Sequence, residues 1–210
     1  LIFGILNLTP DSFSDGGDFI KHSKSIQHAK YMYNNGANYI DVGGESTRPG
    51  ARKVNSSDEI LRVMPSLQAL RSLDIPVSLD TRNSSTMEFG ALSGVEIIND
   101  VSGLENDRLS IDILKKYKKN LIIMHMPGNP NTMMKNNNYQ NVVLDVYDYL
   151  EKKIGLCESK GIDKSMIIVD PGIGFGKDLE QNLEILRNLS VYHTLQCPIM
   201  IGLSRKRFIS

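Results

Sequence analysis

The sequence predicts an α/β fold of the (β/α)₈ TIM-barrel type, and three observations lead there. Short apolar runs alternate with longer stretches of helical period, which argues for parallel strands joined by crossover helices. The alternation recurs about every 30 residues, close to the repeat of a barrel that spends roughly 250 residues on eight units. Almost every apolar run ends in polar chemistry: Asn7, Asp41, Asp80, Asn99 with Asp100, His125, Asp170 and Ser204. A barrel brings all its strand ends to one mouth, whereas an open doubly wound sheet concentrates ligands at one switch point. The 210 residues are expected to cover about seven of the eight units as one domain over 1–210. That domain reads as cut at the C-terminus and, with no initiator Met, at the N-terminus.

Taken in order, the strand candidates are residues 1–6, 39–42, 77–79, 96–98, 121–124, 166–169 and 199–201. Between the first two, Ile26, Ala29, Tyr33 and Ala37 recur at helical spacing and predict a common buried face. Ser56 and Ser84 are expected N-caps of the next two helices, and Pro65 is expected to kink or break the first of these. Val143, Val146, Leu150, Ile154 and Cys157 form the clearest stripe. Leu179, Leu183 and Leu186 form a shorter one, with Asp178 as its N-cap. Gly36, Gly94 and Gly161 each stand where a helix should end in a left-handed residue.

Composition narrows the function. Hydrophobic residues make up 40% and charged residues 23%, an ordinary globular mix. Lys plus Arg and Asp plus Glu both count 24, so no overall basic field points to nucleic acid or an anionic membrane. No apolar run approaches the ~20 residues of a bilayer span. Cys157 and Cys197 have no partner spacing for a disulfide framework or a zinc site. These features predict a cytoplasmic protein acting on small molecules, and a homodimer is compatible with them.

The polar strand ends carry the chemistry. Residues 7–17 form a long loop after the first strand, either a Pro/Asp/Gly turn tract or a lid over the mouth. Within it Asn7 and Asp15 offer hard oxygens suited to Mg²⁺ held jointly with a phosphate. Residues 41–50 pair two glycines with Arg48, whose planar fork matches phosphate better than a surface turn requires. Residues 170–177 fail as a Walker loop, because Gly172 and Gly176 are one residue too close and Asp178 replaces Ser/Thr. Their glycines instead suit a backbone passing beside a flat ligand, with Phe175 as either an aromatic neighbour or a core anchor. Asp80, Asn99 and Asp170 together suit a nitrogen heterocycle with several N–H and N edges, since each unpaired edge costs ~1–3 kcal/mol. Ser204, Arg205 and Lys206 add positive charge where barrels commonly hold phosphate. His125, between two methionines, reads as a packed histidine and not as a catalytic acid.

These motifs resemble those of the dihydropteroate synthase family. The resemblance rests on residues 4–17 and 41–50, then on 98–101, 124–126, 170–177 and 202–206, all in family order. It implies condensation of 6-hydroxymethyl-7,8-dihydropterin diphosphate with 4-aminobenzoate in folate biosynthesis. By analogy Asp80, Asn99, Met124, Asp170, Phe175 and Lys206 would hold the pterin. Phe13, Thr47, Pro49 and Ser204 would line the aminobenzoate pocket, where sulfonamides also bind. Arg48 and Asn7 would contact diphosphate, Asn7 and Asp15 magnesium, and Arg48 and Lys206 would be the catalytic pair. The family also carries an Arg and a His on a last strand, which would follow Ser210. Pro127 departs from the family, many of whose members have a basic residue there. A folate-dependent methyltransferase of the same barrel family and a binding-only fragment are the alternatives.

Overall fold

The computed structural model describes residues 1–9, 18–47, 51, 53–135 and 137–206. It comprises two compact units, Leu1–Asn99 and Asp100–Ser210. The first unit runs β1 (Phe3–Asn7), α1 (Asp18–Asn34), β2 (Tyr39–Gly43), α2 (Ser56–Arg71), β3 (Val77–Asp80) and α3 (Ser84–Leu92). Its last strand, β4 (Ile97–Asp100), ends on the first residue of the second unit. The second unit contains α4 (Ser110–Tyr117), β5 (Asn120–Met124), α5 (Val142–Ser159), β6 (Ile167–Asp170) and α6 (Leu179–Arg187). A 3₁₀ segment, Leu189–Leu195, follows α6.

In the first unit β1 to β4 pair in chain order, each with the next, and in the second β5 pairs with β6; all these pairings are parallel. Parallel strands covered on both faces read as continuous apolar runs, not as alternation. Leu121, Ile122 and Ile123 in β5 are all fully buried, as are Ile40 and Val42 in β2. Such sequences could be either buried helix or strand from periodicity alone; their length of four or five residues selects strand. Helix α3 lies tightly on β3, and a Cβ built on Gly90 would run into the Leu79 side chain. Only a glycine permits that approach.

Most elements stand where the periodicity puts them. The stripe Val143, Val146, Leu150, Ile154 and Cys157 is buried along α5. Asp178 caps α6 through a complete capping box with Gln181. Gly36, Gly94 and Gly161 take φ of 105°, 91° and 88°. Five expectations need correction. Asn55 and Asn83, not Ser56 and Ser84, are the N-cap residues, and of the two only Asn55 makes a side-chain capping bond, from the Asp58 N–H. Helix α2 continues through Pro65, whose ring leaves the Leu61 carbonyl without its helical donor. Among the described side chains of α1 the buried residues are Ser25 and Ala29, while Tyr33 is exposed, and in α6 they are Asn182 and Ile185, while Leu179 is exposed. Both helices turn a polar residue inward, which an apolar-stripe reading cannot anticipate. Finally, the seventh apolar run is no strand among the described residues. It makes a single parallel bridge, Ile199 with Val169, flanked by Val169 N–H to Pro198 O (2.9 Å) and Met200 N–H to Val169 O (2.8 Å). No helix of the described residues is long and apolar enough to cross a membrane.

Candidate active site

In the first unit the chemistry sits at and just beyond the C-terminal ends of β1 to β4. Asn7 closes β1, and the Leu8 N–H still reaches Gly43 O at 2.8 Å. A Cβ added to Gly43 would lie 3.4 Å from Asp80 Oδ2 and 3.6 Å from Asn7 Oδ1. The bare Cα therefore leaves a space onto which two oxygens, from strands on either side of β2, converge. Asp41 sits lower in β2 and is 7% exposed; its Oδ2 accepts from Asn99 Nδ2 at 3.1 Å. Burial pushes its carboxyl up to about 6, against the pull of the nearby Ser78 hydroxyl and the Asn99 hydrogen bond. Because Asn99 spends an N–H on Asp41, its amide orientation is set and its carbonyl oxygen is the end left to accept from elsewhere.

The loop after β2 is clamped at its base. Arg82, just beyond β3, forks onto Glu45 through Nε to Oε2 (2.8 Å) and Nη2 to Oε1 (2.9 Å). Glu45 Oε1 also accepts the Val54 N–H at 3.0 Å, so one carboxylate ties the loop's entrance to its exit. Burial would raise the Glu45 carboxyl, but the Arg82 and Val54 hydrogen bonds and the nearby cationic charge hold it below its usual range. Beneath it, fully buried Glu59 accepts from Asn83 Nδ2 (2.8 Å) and Thr86 Oγ1 (2.6 Å), while Arg62 donates to Gly44 O (2.9 Å). Thr47 is half-buried on this loop.

In the second unit Asp170 ends β6 at 8% exposure, and Gly172 N–H donates to its Oδ1 at 2.7 Å. Burial pushes this carboxyl to about 6, opposed by the Gly172 bond and the charges of Lys177 and Lys206. Gly172 has φ +72°, and a Cβ there would collide with the His125 carbonyl. Met124 ends β5 and clusters with Val101, Met126 and Met133; half-buried Phe175 packs against that cluster. The Lys206 ammonium stands 4.2 Å from the centroid of the Phe175 ring. Phe175 is thus both anchor and aromatic platform. His125 is buried, its ring edge-on to Tyr149 at 4.8 Å, with Nδ1 2.9 Å from Lys177 Nζ. Burial, then the Lys177 charge, push its pKa down to about 2, so it is the neutral packed residue expected. Ser204 is exposed.

Phe13, Asp15, Arg48 and Pro49 lie outside the described residues. Three residues escaped the sequence reading: Glu45, Arg82 and Lys177. Glu45 and Arg82 are separated by 37 positions, a pairing no local spacing reveals. Lys177 offered a signal, a cation closing a glycine-rich strand-end loop, but its destination is inward.

Residues 3–210 match the family model of pterin binding enzymes. That match and the parallel sheet define the class, a pterin-binding enzyme on the TIM-barrel α/β fold. Dihydropteroate synthase of Synechocystis sp. is 41% identical over 99% of this chain and 72% of its own length; that of Escherichia coli K12 is 40% identical over 99% and 74%. Among solved structures, Clostridium difficile dihydropteroate synthase in the presence of pteroic acid superposes with a TM-score of 0.92 at 44% identity, over 99% of this chain and 77% of that one. The Xanthomonas albilineans enzyme with 4-aminobenzoic acid gives 0.91 at 37%, over 99% and 74%. The chain belongs to the dihydropteroate synthase family.

Proposed function

We propose that the protein condenses 6-hydroxymethyl-7,8-dihydropterin diphosphate with 4-aminobenzoate, releasing diphosphate and forming 7,8-dihydropteroate. One observation carries the reading: relatives about 40% identical along nearly the whole chain bear this enzyme's name, and two were solved, one in the presence of pteroic acid and one with 4-aminobenzoic acid. The strand-end chemistry suits those ligands. Asp170 would accept the pterin's 2-amino and N3–H donors, and a buried carboxylate makes such bonds strong. Asn99, oriented by Asp41, would accept a further N–H, and Asp80 would complete the polar set. Met124 and Phe175 would flank the flat ring, with Lys206 reaching its oxygen and N5. Thr47 and Ser204, with Phe13 and Pro49, would line the aminobenzoate pocket.

The C–O bond to diphosphate breaks first, and the positive charge left on the methylene spreads into the pterin ring. The arylamine nitrogen then forms the C–N bond and gives up a proton. No covalent nucleophile is needed; the residues position the partners and stabilise charge. Arg48 would hold the departing diphosphate through its fork and Lys206 would steady the ring, the catalytic roles of this scheme. Among the described residues no three His, Cys, Asp or Glu cluster to hold a metal. A magnesium ion shared with diphosphate needs fewer protein ligands, since Mg²⁺ keeps several waters and takes phosphate oxygens. The Asn7 oxygen beside bare Gly43 fits that demand, so Asn7 and Asp15 would hold the ion, which would neutralise diphosphate charge. A homodimer in the cytoplasm completes the proposal. The test is diphosphate release in the full-length protein: it should require both substrates, and release independent of 4-aminobenzoate would overturn the reading.

A further inference from the structure

Lys177 is 3% exposed, and nothing in the scheme above uses it. Its ammonium is caged by protein acceptors: Gly172 O and Phe175 O at 3.0 Å each, His125 Nδ1 at 2.9 Å and His125 O at 3.4 Å. A lysine has three N–H donors, so this set exhausts it. The contacts are internal to residues 170–177 except for those to His125, the residue after β5. Two more braces act from outside the loop. Asn182 takes the Gly174 N–H (2.7 Å) and donates to the carbonyls of Lys177 (3.1 Å) and Asp178 (2.6 Å). Tyr139 donates to Gly176 O at 3.0 Å.

We propose that Lys177 is a positioning residue for the pterin site, an internal hydrogen-bond hub that sets the loop around Asp170 and adds positive charge beside it. By drawing the Gly172 and Phe175 carbonyls inward it turns the Gly172 N–H onto Asp170 Oδ1 and holds the Phe175 ring beneath Lys206. Asp170 then stays ionised, a double acceptor, without consuming Lys206, which remains available to the ligand. The charged and titratable groups facing Asp170 within its unit are Lys177 and Lys206; those facing Lys177 are Asp170, Lys206 and His125. Burial pushes Lys177 down to about 7 against the pull of the Asp170 charge, and His125, neutral, contributes an acceptor and no competing charge. The reverse arrangement, with a neutral residue at 177, would leave a buried carboxylate with Lys206 as its facing cation, a costlier state.

This inference rests on Asp170 being the pterin acceptor, and the experiment separates the two. Pterin diphosphate binding by the wild-type full-length protein is measured first; its absence removes that reading. Lys177→Met and Lys177→Gln are then compared with wild type in pterin diphosphate affinity against pH, in KM for 4-aminobenzoate, and in thermal stability. Lys177→Met should weaken pterin binding at least about tenfold at neutral pH. The acid limb of pterin binding should move to higher pH in both variants, because a positive charge facing Asp170 is gone. Lys177→Gln keeps N–H donors, so it should recover part of the affinity but none of the limb. KM for 4-aminobenzoate should stay within about twofold. Unchanged pterin affinity in folded variants overturns the role, and so does a parallel loss for both substrates with an unmoved limb. A check needs no substitution: the ¹⁵N resonances of His125 should report an unprotonated Nδ1 at neutral pH, and a protonated Nδ1 overturns the cage.

Discussion

Asp41 and Asp170 lie in short parallel strands at 7% and 8% exposure, and burial pushes each carboxyl to about 6. Their surroundings differ. Asp41 is met by neutral groups only: the Asn99 amide donates to its Oδ2, the Ser78 hydroxyl lies nearby, and its Oδ1 is buried without a hydrogen-bond partner. Asp170 is met by a backbone N–H and the charges of two lysines. A carboxylate compensated only by dipoles orients its neighbour; one compensated by cations can stay charged and take a ligand's donors. On the function proposed above, equal burial therefore goes with a positioning group in the first unit and with the proposed pterin acceptor in the second. The cations differ too: the first unit uses forked guanidinium at Arg82, the second caged ammonium at Lys177.

The largest expected effect falls on the binding group. Asp170→Asn puts a donor where the pterin also donates and should cost ~3 kcal/mol or more, over 100-fold in pterin affinity by calorimetry. Unchanged affinity would erase the distinction drawn here. Asp41→Asn should act mainly on stability, and its sign follows from the raised pKa. A carboxyl held near 6 when folded favours the folded state fully below its unfolded value of 3.8, and that contribution is lost as pH rises through about 6. Relative to wild type, Asp41→Asn should gain up to about 2–3 kcal/mol between acidic and neutral pH in denaturant titrations. A flat difference would mean that Asp41 is compensated as well as Asp170.

Smaller effects sharpen the contrast between fork and point charge. Arg48→Lys should lower kcat/KM for pterin diphosphate about tenfold while leaving affinity for the product pterin unchanged, since only diphosphate needs the bidentate fork. Equal losses for both ligands would move Arg48 away from diphosphate. Arg82→Lys keeps a charge on Glu45 but forfeits one of its two bonds, worth about 1 kcal/mol. It should raise KM for 4-aminobenzoate several-fold, with pterin affinity unchanged. A shift in pterin affinity instead would show that the clamped β2 loop serves the other substrate.

The places where the sequence reading failed share a cause. Hydrophobic period found α5 but misplaced the inner faces of α1 and α6, because Ser25 and Asn182 point inward. Asn182 does so to brace the loop after β6, a contact made with groups five and eight positions away. The seventh run has the apolar character of a strand and forms only a bridge, since ladder formation depends on the partner's geometry as well as composition. Pro65 was expected to kink or break α2, and the helix runs unbroken from Ser56 to Arg71.

Sequence by itself determined the α/β class, the helix ends with their glycines and the strand-end polar set, because each depends on short-range chemistry: chain period, backbone conformation and the cost of burying unpaired groups. It determined the family for the same reason, through long local motifs. Tertiary structure alone decided what each polar group does. Whether a buried carboxylate is faced by an amide or an ammonium depends on side chains separated by 58 positions for Asp41 with Asn99 and by 37 for Glu45 with Arg82. Lys177 and His125, separated by 52 positions, make the same point. Electrostatic compensation acts over a few ångströms of space, and only folding fixes which residues share them.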